Sequence, residues 1–352
     1  MQIKITGSGC YIPSEVVTNL DFARHEFLNE DGTPFPYSNE VVAEKFLEIT
    51  GIQERRYATE NLLTSDIATI AAQRAIEDSG IDPETLDYII FAHNFGNVKQ
   101  GAIQSDILPS LATRVKYDLK IKNPKCVAYD ILFGCPGWVE GVIQAYAFIK
   151  AGMAKKCLVI GAETLSRVVD IHDRDSMIYS DGAGATIIEA TDAPGGILAH
   201  ESATFAHDEA YYLYFGNSFN KDHDPNVRYI KMYGRKIYEF ALSNVPKAMA
   251  ACLEKSGIDI SQVKKVLIHQ ANEKMDEAII HRFFKLYKQT PPEGVMPMSI
   301  HKLGNSSVAT VPTLYDLLVK GQIENQALHP GDVVLFASVG AGMNINAFVY
   351  KM

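Results

Sequence analysis

Cys135, His269 and Asn305 are the residues of this sequence whose types and settings suit work on a thioester. Cys135 stands in FGCPGW, where Gly134 lets the backbone bend and Pro136 fits a first helical turn, since its missing N–H costs nothing there. At a helix start the free N–H groups and the dipole favour negative charge, so the Cys135 thiol is expected to ionise below its usual value of about 8.5 and to act as a nucleophile. His269 closes the apolar run KKVLIH and leaves a strand end at a turn. A neutral imidazole there can donate to a thioester oxygen that becomes an enolate, or exchange a proton with the thiol. Asn305, in KLGNSS, offers an uncharged donor to the same oxyanion. Such a set also serves hydrolysis, so the residue types alone leave the reaction open.

Each of the three has a plainer reading. Free cysteines are usually buried and inert, and a lone histidine at a strand end is usually structural. Cys10, Cys126, Cys157 and Cys252 fit that description in strand-like or helix-like apolar contexts. Five cysteines without a C-x-x-C pair argue against a disulfide framework, a zinc site or a redox dithiol.

The elements that would position these residues come from an internal repeat. Ala71 to Ala92 matches Ala248 to His269: both read as a helix, a Ser-Gly-Ile-Asp stop, a short polar turn and a β-branched strand. Leu132 to Gly152 resembles Lys302 to Gln322, with a Gly-rich bend, a long helix and then a strand. The second match superimposes Cys135 on Asn305. Two helix starts related by a pseudo-twofold axis can then face one cavity. The halves are expected to be 1–193, carrying the nucleophile, and 194–352, carrying His269 and Asn305.

Two Gly-rich stretches lie nearby. SDGAGA, from Ser180, lacks the lysine of a phosphate loop and is expected to be a tight, close-packed turn; VGAGM, from Val339, can offer a backbone N–H to an oxyanion. Lys274, His281, Arg282, Lys285 and Lys288 share a helical face, either solvated or suited to an acidic carrier. Polar segments at 27–42 and 207–228 are expected to be surface loops beside the substrate entrance.

With 352 residues, 47% of them hydrophobic, the chain can bury a large core. A net charge of -9 argues against a general polyanion binder, so no nucleic-acid partner is expected. No signal-like start and no membrane-length apolar run is evident, which points to a cytoplasmic protein without membrane insertion.

Taken together, FGCPG, DGAGA, HQAN, LGNSS and the closing Gly-rich turn resemble the ketoacyl-acyl-carrier-protein synthase III family, as do ITGSGCYIP, TGIQERR and the segment from Glu163 to Ala185. The resemblance implies a thiolase-like α/β fold, five layers in α-β-α-β-α order, internally duplicated and usually a homodimer. It implies an acyltransferase of fatty acid biosynthesis with no tightly bound cofactor and no metal. Its substrates would be acyl-CoA or acyl-ACP and malonyl-ACP, with acyl carrier protein as partner. Cys135 would take the acyl group. His269 and Asn305 would stabilise the enolate formed on decarboxylation, and the N–H groups of Cys135 and Ala341 would form an oxyanion hole. Arg174, Asn272, Lys274, Arg282 and Lys285 are the candidate substrate and carrier contacts. Lys45 and Ile49 stand where the family commonly has a Trp and an Arg that hold the coenzyme A adenine, and the segment 97–108 is longer than expected beside the acyl pocket. An alternative is therefore a synthase III-like acyltransferase or ketosynthase of specialised lipid or aromatic metabolism with a different donor or acceptor.

Overall fold

The structure is a computed structural model that describes all 352 residues. The chain runs β1 (Gln2–Tyr11), β2 (Glu15–Thr18), α1 (Asn39–Thr50), β3 (Glu54–Tyr57), α2 (Thr64–Ser79), β4 (Tyr88–His93), α3 (Leu111–Asp118), β5 (Val127–Leu132), α4 (Gly137–Lys150), β6 (Lys156–Thr164) and β7 (Asp181–Thr191). It continues through β8 (Gly196–Thr204), β9 (Leu213–Gly216), β10 (Tyr229–Met232), α5 (Gly234–Ser256), β11 (Val263–Ile268), α6 (Glu273–Leu286), α7 (Ile300–Leu303), α8 (Thr310–Val319), β12 (Val333–Gly340) and β13 (Asn344–Lys351).

The repeat is visible in local chemistry. Helices α2 and α5 both stop at a glycine in the left-handed region, Gly80 at φ 68° and Gly257 at φ 69°, where a side chain would be strained. Each is followed by a one-turn 3-10 helix capped by an aspartate, Asp82 accepting from the Glu84 N–H and Asp259 from the Ser261 N–H. Each then enters a buried strand, β4 or β11.

Sheet order repeats as well. The first sheet is β1-β7-β6-β4-β5 and the second is β8-β13-β12-β11, so β5 alone lacks a counterpart and forms an edge. In both sheets the corresponding pair of strands is parallel (β4 with β6, β11 with β12), and the strand that follows is antiparallel. Three apolar cores hold five layers together, the middle one enclosing the central helices. Helices α2 and α3 pack on the first sheet, α5 and α6 on the second, and α4 and α8 fill the space between the sheets. Apolar residues on both faces of β6 and β12 follow from that double covering.

Two expected loops are strands instead. SDGAGA is the entry to β7, not a turn: a Cβ on Gly184 would lie 2.7 Å from Pro312 and 2.9 Å from the Thr313 nitrogen, so glycine lets α8 settle against the strand. The segment 207–228 contains β9, which pairs with β10 as a two-stranded ribbon. The four residues of β9, Leu213–Gly216, carry no apolar-polar alternation and lie among turn-forming residues, so the strand has no local signature.

Trp138, the sequence's one tryptophan, is fully buried in the middle layer beside the stacked rings of Phe336 and Phe348, its indole N–H reaching Thr186 Oγ1 at 3.2 Å. Trp138→Ala should cost about 3–5 kcal/mol, read as an earlier midpoint in chemical denaturation followed by circular dichroism.

Candidate active site

Cys135 lies between β5 and α4, two residues before the helix; Pro136 is the cap residue, so the helix begins one residue later than the sequence suggested. Asn305 lies two residues before a 3-10 turn, Ser307–Ala309, that leads into α8. His269 directly follows β11, its backbone N–H bonded to Ala337 O at 2.9 Å. All three line one cavity of about 250 Å³, walled mainly by apolar side chains including Phe95, Leu165, Leu213, Phe215 and Ile230.

The two halves meet here backbone to backbone. A Cβ on Gly340 would lie 2.6 Å from the Cys135 nitrogen, and a Cβ on Gly134 would lie 2.7 Å from the Ala341 nitrogen. Both glycines are therefore required by space, and their absent side chains let the backbones of Cys135 and Ala341 approach each other where both residues line the cavity. Ala341 itself is unstrained, because the left-handed conformations of this turn fall on Gly342 (φ 76°) and Met343 (φ 47°).

Asn305 is fixed as a donor. Its Oδ1 accepts the Ser307 N–H at 2.8 Å, leaving the amide NH₂ as the group offered to the cavity. His269 is only 4% exposed, and burial lowers its pKa to about 4, so the ring is neutral. Its Nδ1 is buried with no hydrogen-bond partner. Gln270 holds the turn beneath it, donating to Pro297 O and accepting the Ser299 and Ile300 N–H groups.

Cys135 corrects one expectation. Its thiol pKa is pushed up to about 11, mainly by burial, with the Ser307 hydroxyl at 3.5 Å from Sγ opposing the rise. The helix start and the hydroxyl are outweighed by the apolar walls, because a thiolate there loses its hydration. The other four cysteines are buried, as expected.

A second cavity of about 320 Å³ adjoins the first, sharing Met232, Ile237, Ala271, Met275 and Asn305 with it. Arg174 and Asn272 line this outer cavity, with Lys45 and Ile49. Arg174 lies over the Phe35 ring at 4.5 Å and Lys45 over Tyr37 at 4.2 Å. Asn272 also caps α6, accepting the Met275 N–H at 3.0 Å. Lys274, Arg282 and Lys285 touch neither cavity. They project from the exposed face of α6, where Lys274 pairs with Glu48 at 3.4 Å and Arg282 donates to Leu242 O. Lys288 falls beyond the end of α6. Of the expected entrance segments, 27–42 contributes Phe35, Tyr37 and Val42 to the outer cavity, whereas 97–108 lines neither cavity and exposes Ile103 and Leu108.

Sequence reasoning missed Ser307, Asn94 and Tyr179 in the inner cavity. Ser307 sits two residues from Asn305 in LGNSS, and Tyr179 lies in the family-like segment from Glu163 to Ala185; Asn94 has no local signal. No group of three or more His, Cys, Asp or Glu side chains has an arrangement that could hold a metal.

The profile of a family described as 3-oxoacyl-[acyl-carrier-protein (ACP)] synthase III matches residues 129–204, and that of its C-terminal part matches residues 253–352. A beta-ketoacyl-[acyl-carrier-protein] synthase III of Erythrobacter litoralis is 32% identical over 353 residues, covering 99% of this chain and 98% of that protein. One from Aquifex aeolicus is 32% identical with full coverage of both. The crystal structure of the 3-oxoacyl-[acyl-carrier-protein] synthase III from Aquifex aeolicus superposes with a TM-score of 0.80 at 30% identity, covering 99% of this chain and 100% of that one.

The geometry makes two predictions. Alkylation of Cys135 by iodoacetamide should rise about tenfold per pH unit from pH 7 to 10, because the thiolate fraction keeps growing until pH approaches about 11; a plateau near pH 8 would contradict the raised value. Gly340→Ala should slow acylation of Cys135 by about a hundredfold, measured by intact-protein mass spectrometry, since the added methyl displaces the Cys135 backbone.

Proposed function

This chain belongs to the 3-oxoacyl-[acyl-carrier-protein] synthase III family, and on that footing we propose how its residues divide a β-ketoacyl-[acyl-carrier-protein] synthase reaction. Cys135 attacks the carbonyl of an acyl thioester, and the resulting oxyanion is held by the N–H groups of Cys135 and Ala341. The tetrahedral centre collapses, the acyl group stays on sulfur, and the departing thiolate takes up the proton that the cysteine lost. The half-reaction is thus proton-neutral and needs no strong base.

Malonyl carrier protein then enters. Cleavage of its carboxylate as carbon dioxide leaves an enolate, whose oxygen accepts from His269 Nε2–H and the Asn305 amide. An imidazole with a pKa near 4 is a weak base but a serviceable neutral donor, so hydrogen bonding and not proton abstraction is its role. The carbanion attacks the acyl-cysteine carbonyl, the same two backbone N–H groups hold the second oxyanion, and the Cys135 thiolate leaves and is reprotonated. The carrying observation is that one apolar cavity presents Cys135, His269 and Asn305 together. The apolar walls favour decarboxylation because loss of carbon dioxide disperses charge that the cavity solvates poorly.

The substrates proposed are acyl-CoA or acyl-ACP and malonyl-ACP, with no tightly bound cofactor, and acyl carrier protein docks beside α6 with Lys274, Arg282 and Lys285 facing its acidic surface. The outer cavity, with Lys45 and Ile49, supports a second reading in which an acyl carrier and not coenzyme A delivers the first acyl group. The edge strand β5, with Val127 and Leu132 exposed on it, supports a homodimer, and no helix is long and apolar enough to cross a membrane. We place the protein in the cytoplasm.

Purified protein given acyl thioesters and malonyl carrier protein should release carbon dioxide and form a ketoacyl carrier. Cys135→Ala should abolish condensation yet still decarboxylate malonyl carrier protein, whereas Asn305→Ala should slow decarboxylation by about 10²-fold or more. Absence of carbon dioxide release from the parent enzyme with every acyl donor would sink the assignment. Light scattering should return about twice the chain's 38.9 kDa.

A further inference from the structure

Glu163 is a buried acid that the reaction above does not use. It lies near the end of β6, and its Oε1 accepts two hydrogen bonds from Asn94, one from the backbone N–H and one from Nδ2, both at 2.6 Å. Asn94 itself follows the last residue of β4. The second Nδ2 hydrogen goes to Ser307 Oγ at 3.2 Å. Ser307 Oγ in turn lies 3.5 Å from Cys135 Sγ.

These contacts have a fixed direction. Oε1 can only accept, so the Asn94 amide must turn its nitrogen and not its oxygen toward Glu163. That nitrogen's remaining hydrogen makes Ser307 Oγ an acceptor, and the serine's own proton is left to point at sulfur. Burial raises the Glu163 pKa to about 7, but a carboxyl protonated on Oε2 still accepts at Oε1, so the direction survives through neutral pH. Ser307 is further pinned by its backbone: φ is 52°, in the left-handed region, and its N–H is the donor that orients Asn305.

We propose that Asn94, clamped by Glu163, is a positioning residue for acyl transfer, holding the Ser307 hydroxyl as a donor to Cys135 Sγ. The inference rests on Cys135 being the nucleophile. The donor stabilises the thiolate as it forms and fixes the sulfur against rotation away from the acyl cavity. Ser307 thereby links the nucleophile to Asn305, through its side chain to one and its main chain to the other, while Asn94 decides which way its hydroxyl points.

The test measures the rate of Cys135 alkylation by iodoacetamide from pH 7 to 10, with the modified site identified by mass spectrometry, in the parent, Asn94→Ala, Ser307→Ala and the double variant. Each single variant should react about tenfold more slowly at every pH in that range, corresponding to a thiolate about one pH unit harder to form. The double variant should be no slower than Ser307→Ala, because Asn94 acts only through that hydroxyl. Acyl loading from a thioester should fall in parallel. Asn94→Ala reacting at the parental rate, or a double variant showing the product of both losses, overturns the proposal. If Asn94→Ala does not fold, Ser307→Ala decides alone, and a parental alkylation rate there removes the donor from sulfur. Alkylation needs neither thioester nor carrier, so its outcome is independent of whether the synthase reaction is found.

Discussion

The close approach of Gly134 to the Ala341 backbone and of Gly340 to the Cys135 backbone is the constraint on which the site depends. The first half contributes the bend from β5 into α4 and the second the turn between β12 and β13, and the two touch where glycines leave no room for a side chain. Cys135 and Ala341, from opposite halves, are thereby brought to the wall of one cavity. Any rearrangement that parts the sheets separates them, which is why so large an apolar layer, with Trp138, Phe336 and Phe348 at its centre, sits directly below. Packing density is what keeps the contact from drifting by the fraction of an ångström that matters to catalysis.

Around that contact the dominant electrostatic fact is desolvation. The walls that accept an acyl chain also withdraw water from Cys135 and His269, and both groups settle in their uncharged forms, the thiol with its pKa pushed up and the imidazole with its pKa pushed down. A cysteine and a histidine side by side suggest an ion pair on paper. Here the cavity instead holds a neutral nucleophile and neutral donors, ready for charge that appears only during the reaction.

Much of this was legible in the residues themselves. The repeated Ser-Gly-Ile-Asp stops announced equivalent helix ends because a left-handed C-cap has few solutions in sequence, and the alignment of Cys135 with Asn305 announced a shared cavity. What stayed hidden depends on neighbours distant in the chain. The glycines of β7 look like a turn until α8 is laid on them, and β9 looks like loop until β10 pairs with it. The thiol's ionisation was misjudged for the same reason: a helix start is local information, whereas the apolar enclosure is assembled from β9, β10, α5 and β12. Asn94 carries no motif, and Glu163, although it opens a segment of family resemblance, shows no role there, because their meaning lies in a contact between strand ends.

The duplication also sets a limit on what a smaller protein with this architecture could do. Two identical half-chains related by a true twofold axis would carry the same residue at both helix starts, giving either a pair of thiols or a pair of amides in the shared cleft. Covalent fusion breaks that equivalence without disturbing the scaffold. It lets one copy of the bend specialise in bonding to carbon and the other in holding oxygen, a division of labour that symmetry forbids to a homodimer of halves.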